Sequence, residues 1–198
     1  MDSPEHHPVR DHDELIMVLA KGLDEIRRSA PSLDVRLVGT AAAMLQGVEA
    51  PVGDIDLLVR SRADVDKVAA ALHPWPCLMA PRDLSPVPQY FTESIIAGVR
   101  FGASTVEIVC DEVGWECKGP GPWIHDVVVE VGAHVLRVAP LEIRLTSEFQ
   151  RGRVDHWRPL LTHLAVTGVD RDLLQQSLSV RRIPPDLVAL TQALPARA

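Results

Sequence analysis

The chain has 198 residues, a formal net charge of −7 and 46% hydrophobic residues. These values suit one compact domain, or a core with a helical appendage, because a chain of this length can bury a substantial apolar core. The negative charge argues against binding of long duplex nucleic acid, which depends on Lys and Arg to neutralise phosphates.

Two sequence features bear on the cellular compartment. No apolar run reaches the roughly 18 residues of a membrane span, and the N-terminus lacks the basic and apolar regions of a signal peptide. We therefore expect a cytoplasmic protein that does not insert into a membrane. The cysteines are three in number and lack C-x-x-C spacing, which predicts reduced thiols rather than a disulfide framework or a zinc site.

The first predicted element is an amphipathic helix from Asp11 to Ser29. Asp11 and Glu14 form a capping pair at its start, and Pro31 follows its end. The apolar stripe at helical spacing consists of Leu15, Leu19, Leu23 and Ile26.

A short strand from Val35 to Val38 comes next and leads into Gly39 and Thr40. The strong helix formers from Ala41 to Leu45 predict a helix directly after this pair, with Thr40 as its N-cap. Gly39 allows a close approach of the backbone to a ligand. A helix start with free N–H groups and a hydroxyl is suited to binding a phosphate group.

Two carboxylates share one face of the following strand. Ile55, Leu57 and Val59 alternate with Asp54 and Asp56, so the apolar set faces a core while the aspartates face the other way. At a rise of roughly 3.3 Å per residue the aspartates lie about 7 Å apart. Like charges at this spacing favour a divalent cation with oxygen ligands, although such a pair alone is more often only a solvated face.

The capping pattern recurs at Ser61 and Asp64, where it predicts another short helix. Five prolines then fall between His73 and Glu93. This density predicts a long loop, and loops of this length in a compact domain usually have a function. We expect the loop to border the site of the two aspartates and to select the acceptor.

Two strand pairs follow the loop. Ile95 to Phe101 and Thr105 to Cys110 predict one pair, with a turn at residues 102–104. Ile124 to Val131 and His134 to Val138 predict a second hairpin, with its turn at Gly132 and Ala133.

From Pro140 onward the pattern is helical, with breaks near Gly152, Gly168 and the pair Pro184-Pro185. The predicted class is α/β (α+β), a mixed β-sheet flanked by helices with a C-terminal helical segment. We expect residues 1–139 to form the core and residues 140–198 to pack on it.

The run of Gly39-Thr40, a short helix and Asp54-Ile55-Asp56 resembles the signature of the nucleotidyltransferase superfamily, the DNA polymerase beta-like fold. That signature is a Gly-Gly or Gly-Ser pair, a short helix and then Asp-x-Asp on a strand. The resemblance implies a third carboxylate on a neighbouring strand, and Glu107 is available for this position. Thr40 stands where serine is usual, and Glu107 where aspartate is more common.

A second stretch, Pro140 to Leu145 followed by Arg151 to Asp155, resembles the segment after the core in minimal nucleotidyltransferases and in the AbiEii-type toxin branch. These proteins carry a Pro-Glu-Asp-Leu-like helix start and then a basic run. Here Leu141 stands at the usual glutamate. The resemblance implies that Arg151 or Arg153 neutralises a leaving pyrophosphate, whereas a solvated helix end would account for the same residues without function.

The resemblance implies metal-dependent transfer of a nucleoside monophosphate from a nucleoside triphosphate (NTP) to an acceptor hydroxyl. Asp54, Asp56 and Glu107 would be the catalytic residues and would hold two Mg²⁺ or Mn²⁺ ions. Gly39 and Thr40 would bind the β- and γ-phosphates. Positioning and charge neutralisation supply most of the catalysis in such reactions.

The sequence alone does not determine the chemical class of the acceptor. The toxin-like resemblance favours a macromolecule, a protein or an RNA end, with an antitoxin as a possible partner. A small hydroxylated molecule, as in the aminoglycoside-modifying branch, is the second acceptor class. A third interpretation keeps the fold without the chemistry, as a nucleotide-binding or partner-binding module with a vestigial site.

Overall fold

The computed structural model of the protein describes residues 5–84, 89–106 and 121–197. Within these ranges the helices are α1 (His12–Ser29), α2 (Gly39–Leu45), α3 (Arg62–Ala71), α4 (Leu141–Arg151), α5 (Val154–Thr167), α6 (Arg171–Val180) and α7 (Pro185–Thr191). The strands are β1 (Arg36–Val38), β2 (Ile55–Leu58), β3 (Cys77–Asp83), β4 (Gln89–Ile96), β5 (Val99–Val106), β6 (Val127–Val131) and β7 (His134–Val138).

The strands form one mixed sheet in the order β3-β4-β5-β2-β1-β7-β6. β2 runs parallel to β5, and β1 runs parallel to β7, while the other neighbours are antiparallel. This architecture confirms the predicted α/β class, a mixed sheet with flanking helices and helices at the C-terminal end. None of the helices in the described ranges is long and apolar enough to cross a membrane.

Two hydrophobic clusters hold these elements together. In the first, Leu19 and Leu23 of α1 pack with Leu37 and Phe101 of the sheet. In the second, the helices after the sheet pack on α2, and its members include Ala43 of α2. Its other members include Leu145 and Phe149 of α4 and Leu160 and Leu164 of α5. The second cluster therefore fixes α4 and α5 against the helix that follows Gly39.

The predicted starts of α1 and α3 are confirmed. The Asp11 side chain accepts a hydrogen bond from the backbone N–H of Glu14 at 2.8 Å, and Ser61 Oγ accepts one from the N–H of Asp64 at 3.2 Å. Both side chains satisfy a backbone donor that the first helical turn leaves without an intrahelical partner.

The prediction of Thr40 as the N-cap of α2 is wrong. The N-cap is Val38, which makes no side-chain capping bond, and the helix begins at Gly39 with φ +74°. A side chain at this left-handed φ would be strained, so glycine is the residue that lets the chain turn directly from β1 into α2. Thr40 lies in the first helical turn instead.

The prediction of one loop from His73 to Glu93 is also wrong, because β3 and the first part of β4 lie in this segment and pair in antiparallel orientation. β3 is an edge strand, and Pro81 lies within it. A proline is tolerated at an edge because its missing N–H is not needed for a ladder hydrogen bond. The register shifts of β3 near Met79 and Arg82 reflect this irregular pairing.

The turn predicted at residues 102–104 lies elsewhere. Ala97 and Gly98 have φ +51° and +85° and join β4 to β5, as in a two-residue turn with positive φ at both central positions. Gly102 lies inside β5, where a Cβ would come within 2.8 Å of Phe91 and 3.2 Å of Asp56. Its lack of a side chain serves close packing rather than a turn.

The hairpin of β6 and β7 and the breaks between the C-terminal helices are confirmed. The chain turns at Gly132, with φ +60°, and α4 ends at Gly152, with φ +68°. α5 ends at Gly168, with φ +81°. These glycines supply the left-handed or otherwise positive φ angles that end a helix or close a hairpin.

Candidate functional site

Asp54 and Asp56 lie at the start of β2, beside the point where β1 passes into α2. Asp56 is paired with Val38 of β1 on one side and with Gly102 of β5 on the other. Gly39 follows Val38 directly, so the chain brings the Gly-Thr pair and the Asp-x-Asp pair to one end of the sheet. The aspartates are partly exposed, whereas the intervening Ile55 is fully buried.

Two glycines flank the Asp56 carboxylate. A Cβ on Gly39 would lie 3.5 Å from Asp56 Oδ2, and a Cβ on Gly102 would lie 3.2 Å from Oδ1. A side chain at Gly102 would crowd both Phe91 and the Asp56 carboxylate, whereas a Cβ at Gly39 would only reach ordinary contact distance. Glycine at position 39 is explained by its φ of +74° instead.

The donor set of Asp54 and Asp56 fits a divalent cation that is shared with phosphate groups. Mg²⁺ is usually bound by one or two carboxylates together with substrate phosphates and water. Within the described part of the chain, no group of three His, Cys, Asp or Glu side chains is arranged to hold a metal ion without such help. Glu107, the third carboxylate that the resemblance implies, lies outside the described residues, and its role stays a prediction.

Glu93 is a further carboxylate at this end of the sheet, and the sequence analysis missed it. It lies on β4 opposite Gly102 of β5 and is buried, with 7% of its surface exposed. Sequence reasoning assigned it to the end of a loop. The signal that could have located it is the Ala97-Gly98 turn, because a two-residue hairpin at that point places Glu93 opposite Gly102.

Arg100 connects Glu93 with Asp54. Its Nη2 lies 3.2 Å from Asp54 Oδ2 and its Nη1 lies 3.7 Å from Glu93 Oε1. Burial raises the pKa of the Glu93 carboxyl, and the charge of Asp54 raises it further, while Arg100 and His6 act in the opposite direction. The net effect is a raised pKa, so burial, together with the charge of Asp54, outweighs the opposing contacts.

Thr40 is contacted by an arginine from the helical segment. Nη2 of Arg144, on α4, donates a hydrogen bond to Thr40 Oγ1 at 3.2 Å, and the Arg144 side chain is almost fully buried. The two residues also line a cavity of about 290 Å³ that has Asp155 and His156 among its other walls. The sequence indicates Arg144 only as one of several arginines in the last third of the chain that could form a local basic patch for a triphosphate or an RNA end. The Arg-Glu pair at i and i+4 within α4 was the more specific signal.

The predicted phosphate ligands Arg151 and Arg153 both contact Glu148. Arg151 Nη1 lies 3.3 Å from Glu148 Oε1, and Arg153 donates to both carboxylate oxygens at 2.6 and 2.5 Å. Arg144 Nη2 lies 2.9 Å from the same Oε1. Glu148 is completely buried. One carboxylate thus gathers three guanidinium groups, and one of them also contacts Thr40.

Neither a protein-family model nor a curated protein matches the sequence. Solved structures do match. TM1012 from Thermotoga maritima, assigned as a nucleotidyltransferase, is 21% identical with a TM-score of 0.55, and the match covers 80% of this chain and 96% of that one. An antigenic nucleotidyltransferase-like protein from Paracoccidioides brasiliensis is 14% identical with a TM-score of 0.50, over 96% and 97% of the two chains.

A third similar structure is that of ANT(2″)-Ia in complex with adenylyl-2″-tobramycin. It is 13% identical with a TM-score of 0.52, over 84% of this chain and 97% of that one. These similarities confirm the predicted nucleotidyltransferase fold. They do not distinguish the AbiEii-type branch, which stays a prediction.

Proposed function

From the nucleotidyltransferase fold of the chain and the geometry of its site, we propose that the protein transfers a nucleoside monophosphate from an NTP to an acceptor hydroxyl, with Mg²⁺ or Mn²⁺. The observation that carries this proposal is the placement of Asp54 and Asp56 beside Gly39 and Gly102. Two partly exposed carboxylates beside the Gly-Thr pair suit a cation and the phosphates it neutralises.

Asp54 and Asp56 would hold the divalent cation. When bound, the cation neutralises the charge of the phosphates and acts as a Lewis acid at the reacting phosphoryl group. The Gly39 backbone and the Thr40 hydroxyl would bind the β- and γ-phosphates. Arg144 supports this role because its guanidinium already contacts Thr40 Oγ1, and arginine is well suited to phosphate oxygens.

In the proposed reaction the acceptor oxygen attacks the α-phosphorus of the NTP. A new O–P bond forms, the bond from the α-phosphorus to the bridging oxygen breaks, and pyrophosphate leaves with that electron pair. The proton of the acceptor hydroxyl passes to a nearby carboxylate. Glu107 is the predicted group for this step, and Glu93 is a second candidate because its carboxylate lies next to Arg100 and Asp54.

Arg151 and Arg153 would act on the pyrophosphate through the charge of the whole cluster. Both contact Glu148, which also contacts Arg144. Guanidinium groups are well suited to phosphate oxygens, and this cluster brings three of them together next to Thr40. In this arrangement Arg144 would make the direct phosphate contact, while Arg151 and Arg153 hold Glu148 and add positive charge.

A macromolecular acceptor, a protein or an RNA end, is the favoured class, in line with the toxin-like resemblance and its possible antitoxin partner. A small cationic acceptor is the second candidate. Two observations support it: the net charge of −7 attracts a cationic molecule, and ANT(2″)-Ia, which is similar over 97% of its length, was solved with adenylyl-2″-tobramycin. The non-catalytic alternative is a nucleotide-binding or partner-binding module with a vestigial site.

The test is to incubate the protein with labelled NTPs and Mg²⁺, together with either cell extract or a panel of aminoglycosides. Label in a protein band, in an RNA fraction or on an antibiotic identifies the acceptor class. Asp54→Asn and Asp56→Asn are the inactive controls, and Asp24→Asn, whose exposed side chain contacts His134, is the matched active control. Metal-dependent NTP binding without transfer to any acceptor would indicate a vestigial site, and absence of metal-dependent binding would reject the proposal.

A further inference from the structure

Arg100 lies between two carboxylates that come from different strands. β5 is the middle strand of the β4-β5-β2 group, and Arg100 stands on it between Glu93 of β4 and Asp54, which directly precedes β2. The guanidinium reaches Asp54 Oδ2 at 3.2 Å and Glu93 Oε1 at 3.7 Å. About one third of its side chain is exposed, so a large part of its charge is removed from solvent.

The third nitrogen of the guanidinium, Nε, also bears on how Arg100 is held. Arg100 Nε is buried and has no hydrogen-bond partner. A buried N–H without a partner is unfavourable, so the contacts of the two terminal nitrogens with the carboxylates must outweigh this loss. Charge therefore holds the guanidinium between Asp54 and Glu93.

We propose that Arg100 is the resident cation of this carboxylate site, so that the chain takes up one divalent cation, at Asp54 and Asp56, rather than two. This inference rests on the proposed function. Two-metal sites place their cations roughly 3.5–4 Å apart and share carboxylate oxygens between them. Here Asp54 Oδ2 already contacts a guanidinium, which would repel a second divalent cation at that oxygen.

The positive charge of Arg100 does not depend on pH. A guanidinium stays protonated at every pH at which the protein is folded, and its planar group can contact two carboxylates at once. Arg100 would thus supply one fixed positive charge on the Glu93 side of Asp54. The side of Asp54 that faces Asp56 would be left for the cation that is shared with the NTP.

The experiment counts bound Mn²⁺ by equilibrium dialysis with a non-hydrolysable NTP analogue at equal concentration on both sides. The wild-type chain is expected to retain one Mn²⁺. Arg100→Gln and Arg100→Met are expected to retain two, with the second bound at least about tenfold more tightly than in the wild type, because the repelling charge is gone. Arg100→Lys, which keeps the charge, should stay at one.

Arg137→Gln is the matched control, since Arg137 also stands on a strand and contacts an aspartate, Asp126, at 3.0 Å. It should retain one Mn²⁺. Circular dichroism establishes which variants are folded. If Arg100→Gln does not fold, Arg100→Met serves as the uncharged variant, because its side chain fills a similar space. Two Mn²⁺ in the wild type, or one in the folded uncharged variants, would overturn the inference and leave the proposed function standing. No retained Mn²⁺ in the wild type would overturn both.

Discussion

Replacement of Glu148 by glutamine should destabilise the protein far more than a typical ion-pair substitution. Glu148 is completely buried and contacts three arginines, of which Arg144 has only 6% of its side chain exposed. Arg151 and Arg153 are more exposed, at 26% and 39%, and water can solvate them when the carboxylate is removed. The cost therefore comes mainly from the guanidinium of Arg144, which would stay buried after it loses this carboxylate.

Removal of one partner of a buried ion pair costs about 3–5 kcal/mol. Arg144 keeps its hydrogen bond to Thr40, so we take the lower end, about 3 kcal/mol. For a chain of this size each kcal/mol lowers the melting temperature by about 2–4 °C, which gives a decrease of about 6–12 °C. Urea unfolding and differential scanning calorimetry measure both quantities.

The matched control is Asp83→Asn. Asp83 pairs with Arg62 at 2.6 Å, but both side chains are about half exposed. Exposed pairs contribute about 0–1 kcal/mol, so this variant should melt within about 4 °C of the wild type. Equal losses in the two variants would show that burial of Arg144 is not what makes Glu148 important, and the view of Glu148 as the anion that organises the arginines would have to be abandoned.

Three further predictions concern the carboxylates, the phosphate contact and pH. Asp54→Asn and Asp56→Asn should each abolish transfer and weaken metal-dependent NTP binding at least about tenfold, as measured by calorimetry, while the fold is retained. Gly39→Val should weaken NTP binding and lower stability by about 1–2 kcal/mol, because valine is strained at φ +74°; unchanged affinity in a folded variant would contradict the phosphate role. Glu14→Gln should flatten the acid side of the stability curve. The hydrogen bond from Arg10 lowers the pKa of Glu14, so its contribution is present above the ordinary value of 4.5 and is lost as the pH falls through the lowered pKa. Melting temperatures from pH 3 to 7 that are parallel in the two proteins would contradict this.

The parts of the fold that sequence reasoning located correctly depend on local signals. A capping side chain and the residue three positions later determine where α1 and α3 begin, and both lie within one turn of the helix. The helix breaks at Gly152 and Gly168 and the hairpin at Gly132 follow from positive φ angles that glycine adopts freely. The Gly-Thr and Asp-x-Asp pairs are separated by only one short helix and a turn, so their proximity could also be inferred.

The sequence-based predictions fail where residues that are distant in the chain determine the local conformation. Gly102 was interpreted as a turn residue because glycine usually breaks a strand, but here it lies within β5 to make room for Phe91 and Asp56. The prolines between His73 and Glu93 indicated a loop, yet an edge strand tolerates proline. Neither fact can be derived from the segment itself, since both depend on which strand lies next to it.

The same reasoning explains why the charge balance at Asp54 was missed. The sequence shows two aspartates two residues apart, and repulsion between them suggested that metal ions alone compensate their charge. In the sheet, the Ala97-Gly98 turn sets the register of β4 against β5, and that register brings Glu93 and Arg100 to the same end as Asp54. Because the guanidinium lies between the two carboxylates, part of the compensation comes from the chain itself. A site of this kind needs less help from metal ions than the Asp-x-Asp pattern alone implies, and the Mn²⁺ count in the Arg100 variants measures how much less.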